Sequence, residues 1–88
     1  MDLSSRLEHL LRLAEQIGTD VRAEPMGGAG GGLCRLHGKQ VLFVDTAADL
    51  ETRYERTLTA LAALPELEGR FILPEVRRDL ELYHRENL

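Results

Sequence analysis

Leu33-Cys34-Arg35-Leu36-His37-Gly38-Lys39-Gln40-Val41-Leu42-Phe43-Val44-Asp45 decides the fold. Two runs rich in strand-favouring residues flank His37-Gly38-Lys39, and a tight glycine turn between such runs makes a β-hairpin. The turn centres on His37-Gly38 or on Gly38-Lys39, and both choices preserve the facing. Side chains alternate along a strand, so Cys34, Leu36, Val41 and Phe43 share one side. Leu33, Arg35, His37, Leu42 and Val44 share the other. The first side is uniformly apolar and is expected to meet the helices. The second still carries Leu33, Leu42 and Val44. These three are the expected interface residues, covered by another element or by a second copy of the chain.

Immediately upstream stands Gly27-Gly28-Ala29-Gly30-Gly31-Gly32, five glycines in six residues. Each glycine costs backbone entropy when it is ordered. Such a run either lets backbone approach a ligand or forms a mobile connection into the hairpin. Two phosphate-binding patterns fail. The dinucleotide fingerprint needs a third glycine where Leu33 stands and a helix after it, and a Walker loop needs Gly-Lys-Ser/Thr where Gly32 is followed by Leu33. What remains is a nest of N–H groups for an anion or a carboxylate. Its candidate binding set is Gly28, Gly30, Gly31 and Gly32, with Arg35, His37 and Asp45 as the nearest polar side chains. A carboxylate that ends a strand and leads into a helix cap is also common, which is the plain structural reading of Asp45.

Further out, Val21-Arg22-Ala23-Glu24 alternates and stops at Pro25, as an edge strand does. Ser5-Arg6-Leu7-Glu8 has capping-box spacing, and Leu3, Leu7, Leu10, Leu11, Ala14 and Ile17 follow one helical face, giving a helix over 4–17 that ends at Gly18. Thr46 to Asp49 offers a cap for a second helix over 48–64, with Leu50, Tyr54, Leu58, Leu61 and Leu64 inward. Leu64-Pro65-Glu66-Leu67 is echoed by Leu73-Pro74-Glu75-Val76; proline suits a first helical position and glutamate the positive end of a helix. The first copy reads as a short turn. The second opens a helix over 74–86 with Val76, Leu80 and Tyr83 inward. The expected fold is therefore α+β: helix–strand–β-hairpin–helix–helix, a small antiparallel or mixed three-stranded sheet packed on helices. Residues 1–88 read as a single domain.

Composition narrows the function. Fifteen acidic residues against eleven basic ones give a formal charge of −4. The basic residues are scattered, and Arg77, Arg78 and Arg85 are interleaved with Glu75, Asp79, Glu81 and Glu86, so no nucleic-acid partner is expected. No apolar run approaches the ~20 residues that span a bilayer, so no membrane association is expected. One cysteine and no recognisable signal peptide point to the cytoplasm. Cys34 and His37 lie on opposite sides of their strand and make no dyad; Cys34 is expected to be a small core residue. His9, His37 and His84 are far apart and read as surface histidines. No metal site, cofactor or catalytic residue is expected.

The order of elements over residues 5–64 resembles the N-terminal half of zinc metallopeptidases of the ImmA/IrrE type. Gly31-Gly32-Leu33 with Val41-Leu42-Phe43-Val44-Asp45 is similar to that family's strand, and Arg56-Thr57-Leu58-Thr59-Ala60-Leu61 to the run opening its active-site helix. The His-Glu-x-x-His motif is missing: no histidine or glutamate stands between Thr57 and Pro65. Zinc and peptidase activity are therefore not implied. The glycine-to-Asp45 stretch also resembles small uncharacterised bacterial proteins, a likeness that implies no activity.

The expectation is a non-enzymatic cytoplasmic homodimer acting through protein–protein contact. Small incompletely covered sheets have edges and faces that a second copy buries. The alternatives are an anion-binding or catalytic module built on Gly27–Gly32, and a degenerate peptidase-like scaffold without zinc.

Overall fold

A computed structural model of the chain describes residues 1–29 and 31–86. Its elements run α1 (Leu3–Gln16), β1 (Asp20–Glu24), β2 (Gly31–Leu36), β3 (Lys39–Asp45), α2 (Leu50–Ala62), a 3₁₀ turn (Pro65–Leu67) and α3 (Pro74–Glu86). This is the α+β order expected from the sequence. The strands form a single mixed sheet in the order β1-β3-β2. β3 is central, antiparallel to β2 and parallel to β1.

Leu36 pairs with Lys39, so the hairpin turns on His37-Gly38. Both residues have positive φ, 50° and 79°. That is the type I′ geometry, whose twist matches the flanking strands. Gly38 adopts it without a Cβ penalty, and His37 is the only non-glycine residue to do so among those described.

The helices cover the opposite side of the hairpin from the one expected. Leu42 and Val44 belong to the main core with Leu7, Leu10, Leu13, Leu58 and Leu61, and Leu33 and Val21 pack against it. Leu42 is fully buried and Val44 nearly so. Leu42 and Val44 are core residues and the partly buried Leu33 packs against them, so these three side chains turn to the helices and not to the expected interface. Cys34, expected inside, is exposed. The reason lies in β1. Register places Val21 beside Leu42 but Asp20 beside Val41 and Arg22 beside Phe43. Turning Val41 and Phe43 toward the helices would drag Asp20, Arg22 and Glu24 into the core, where unpaired charge is costly. Burying Leu42 and Val44 instead contributes about 1.5–3 kcal/mol per side chain.

The α1 helix starts one turn earlier than the capping box implies. Asp2 is its N-cap, and the carboxylate accepts a hydrogen bond from the Ser5 N–H at 2.8 Å. An aspartate there also meets the positive helix end, which Ser5 does not. Asp49 caps α2 in the same way through the Thr52 N–H, and that bond lowers its pKa.

α3 is tied to the other helices by a polar cluster. Arg6 on α1 reaches Asp79 at 3.1 Å and Glu75 at 3.0 Å. The Tyr54 hydroxyl on α2 donates to the same Asp79 oxygen at 2.6 Å. Burial, then the Asp79 bond, push the Tyr54 pKa up, so the phenol stays a donor across the physiological range.

His9 departs from the surface role expected of it. Its Nε2 accepts a hydrogen bond from the Leu73 N–H, 3.1 Å away, at the start of α3. An accepting imidazole must be neutral. Partial burial, then the charge of Arg12, hold its pKa below the ordinary 6.5. A depressed folded pKa gives stability that is complete above the unfolded value and is lost as pH falls through the folded one. The wild type should therefore lose more of its Tm between pH 7 and pH 5 than His9→Gln, whose amide oxygen accepts at any pH. Melting curves of the two proteins check this; parallel losses would remove His9 from the account.

Candidate functional site

The glycine-rich segment closes around the end of β3. Asp45 is fully buried. One carboxylate oxygen accepts from the Met26 N–H at 2.7 Å and the Ala47 N–H at 2.9 Å, and the other from the Gly28 N–H at 2.7 Å. Its backbone carbonyl accepts from the Ala48 N–H at 3.2 Å. A single aspartate therefore holds the loop that leaves β1 and the loop that leads into α2. Short bonds to an ionised acceptor are the strong kind, about 1.5–3 kcal/mol each. These are the contacts that offset the burial of a charge.

Glycine is needed where the loop joins the sheet. Gly31 has φ of 88° and pairs with Val44. A Cβ there would fall on the Phe43 carbonyl oxygen. Backbone meets backbone, and no rotamer relieves it. Gly28 also belongs to the Asp45 cradle, through its N–H. Gly32 pairs with Phe43 at the start of β2. Gly30 lies outside the described residues.

The remaining candidate side chains stand elsewhere. Arg35 pairs with Gln40, five residues along β3 from Asp45, or about 17 Å at strand spacing. Its guanidinium donates to the Gly38 carbonyl at 3.2 Å across the hairpin turn. His37 sits in that turn, exposed. Arg35, His37 and Asp45 therefore do not converge on one site. A polar cleft of about 720 Å³ does lie beside Arg35, at the junction of α1, β1 and the hairpin turn. Its rim mixes signs: Glu15, Asp20 and Glu66 against Arg35 and Lys39. An apolar groove of about 350 Å³ separates the end of α2 from α3, lined by Leu61, Leu64, Leu67, Ile72 and Leu80. Among the described residues, no group of three or more His, Cys, Asp or Glu is placed to hold a metal ion.

The outer face of the sheet, away from the helices, carries the apolar set once expected inside. Val41 is buried between its register neighbours Asp20 and Cys34, Phe43 is half-buried, and Cys34 and Leu36 are exposed, Leu36 to 39%. Asp20, Arg22 and Glu24 rim it along β1, with Arg22 paired to Asp20 at 3.0 Å. The exposed apolar part of this face is therefore Cys34 and Leu36 on β2.

Sequence reasoning also passed over Thr57. It is 1% exposed on the inner side of α2, and its hydroxyl has no hydrogen-bond partner among the described residues. Its place three residues after Tyr54 was the available signal.

No family model matches this chain, and no curated protein or solved structure does either.

Two substitutions test the cradle. Asp45→Asn keeps the shape but turns an amide N–H₂ toward a backbone donor, and should cost roughly 2–4 kcal/mol in urea unfolding. Gly31→Ala should cost about 3 kcal/mol or more. Gly27→Ala, with open space around the added Cβ, should cost only about 1–2 kcal/mol. Equal losses for the two glycine variants would mean that Phe43 does not constrain this junction.

Proposed function

We propose that this chain is a non-enzymatic, homodimeric protein–protein interaction module, working through the outer face of its sheet. The observation that supports this reading is the one-sided packing. Every strand residue in the main core or packed on it, Val21, Leu33, Leu42 and Val44, has the parity of the helix side. Cys34, Leu36, Val41 and Phe43 are not among that core or the residues packed on it, and of the four Cys34 and Leu36 are exposed. A chain of this size has too few elements to cover every face and edge of its sheet, and a second copy meeting it along the exposed Cys34–Leu36 side of β2 supplies apolar neighbours there at no cost in sequence. The N–H groups of Met26 and Gly28 are directed at Asp45, and Arg35 and His37 stand at the far end of the hairpin, which weighs against an anion site in the glycine loop.

The reading is tested by sedimentation equilibrium across the micromolar range. The wild type should sediment as a dimer. The double variant Cys34→Glu/Leu36→Glu brings carboxylates together on the outer side of β2, and should weaken association by about tenfold or more while circular dichroism shows the fold retained. A wild-type monomer at every concentration would overturn the proposal.

A further inference from the structure

Resting on the reading that the chain dimerises, we infer that the two copies join edge to edge, β2 against β2, into one continuous six-stranded sheet. The sheet has two edges, and they differ. β1 carries Asp20, Arg22 and Glu24 and runs into Pro25. Charges and proline are the usual protection of an edge. β2, Gly31–Leu36, has a single charge and no proline, and no strand lies beyond it among the described residues.

The phase of the ladder shows which groups β2 presents. Leu36 and Lys39 flank a two-residue turn and form a hydrogen-bonded pair. Alternation then turns the backbone groups of Cys34 and Gly32 toward β3 as well, and those of Leu33 and Arg35 outward. These two residues hold the edge N–H and C=O groups that a further strand would satisfy.

Self-pairing of β2 about a two-fold axis has three registers that match this phase. Centring on Arg35 sets two guanidiniums directly opposite each other, which like charges disfavour. Centring on Leu33 recruits Gly31, whose φ of 88° is outside strand geometry. Centring on Cys34 sets Leu33 opposite Arg35 of the second copy, and Gly32 opposite Leu36 of the second copy. Every outward group of Leu33 and Arg35 is then paired, no like charges face each other, and the apolar side chains of the two outer faces meet across the axis. This self-complementarity favours a second copy as the occupant over an unrelated strand.

Amide hydrogen exchange of the wild-type protein, followed residue by residue by NMR, tests the inference. In the dimer the Leu33 and Arg35 amides should exchange about a hundredfold more slowly than at dilutions where the monomer prevails. Arg35→Pro removes one outward N–H and should weaken the dimer by about tenfold or more, while Arg35→Ala leaves it intact. A dimer whose Leu33 and Arg35 amides exchange freely would overturn edge pairing and leave the dimer reading standing. A monomer at all concentrations would overturn both. Because the exchange experiment uses the wild type, a misfolded proline variant does not blunt it.

Discussion

The buried carboxylate of Asp45 is the constraint on which the rest of the structure depends. It accepts backbone N–H groups from Met26 and Gly28 on one loop and from Ala47 on the next. It thereby fixes where β1 ends, how the glycine segment turns back, and where α2 can begin. It also fixes parity. A strand has a period of two, so anchoring Asp45 on the outer side puts Val41 and Phe43 there too and sends Leu42 and Val44 to the helices. One-sided packing follows from that anchor together with the alternation of β1.

Much of the architecture was legible because it rests on local chemistry. Two strand-like runs around His37-Gly38 can scarcely do anything but turn, and the leucine spacing of α1 and α2 admits one inward stripe each. The proline echoes marked a short turn and a helix start for the reason that proline suits a first helical position. The facing of the sheet was not legible in the hairpin alone. Cys34, Leu36, Val41 and Phe43 look like the better core because Arg35 and His37 spoil the other side. Those two polar residues lie near the turn and outside the core. The deciding information was the parallel pairing of β1, a long-range contact that no local pattern announces. The role of the glycine run was hidden similarly. Its partner, Asp45, is seventeen residues from Gly28, and the loop was read against external anions when its acceptor is in the chain.

Packing and association are linked through the same geometry. Placing every strand side chain that serves the core on one face leaves an outer face that is apolar along β2 and β3 and charged along β1. It also leaves one protected edge and one plain one. The polar cluster of Arg6, Glu75, Asp79 and Tyr54 is remote from that face and serves the helical layer. The fold therefore separates a side of the sheet that packs on the helices from a side that does not join that core. A buried hydroxyl at Thr57 without a partner among the described residues shows that the helical side is not optimised throughout, as is common in natural domains.

The central claim is the direction in which the sheet faces, and side-chain NOE measurements on the methyl and aromatic groups test it most directly. The account predicts cross-peaks from the Leu42 and Val44 methyls to leucines of α1 and α2, and none from the Phe43 ring to either helix. Cross-peaks joining Phe43 and Val41 to the helices, with Leu42 and Val44 showing none, would contradict it.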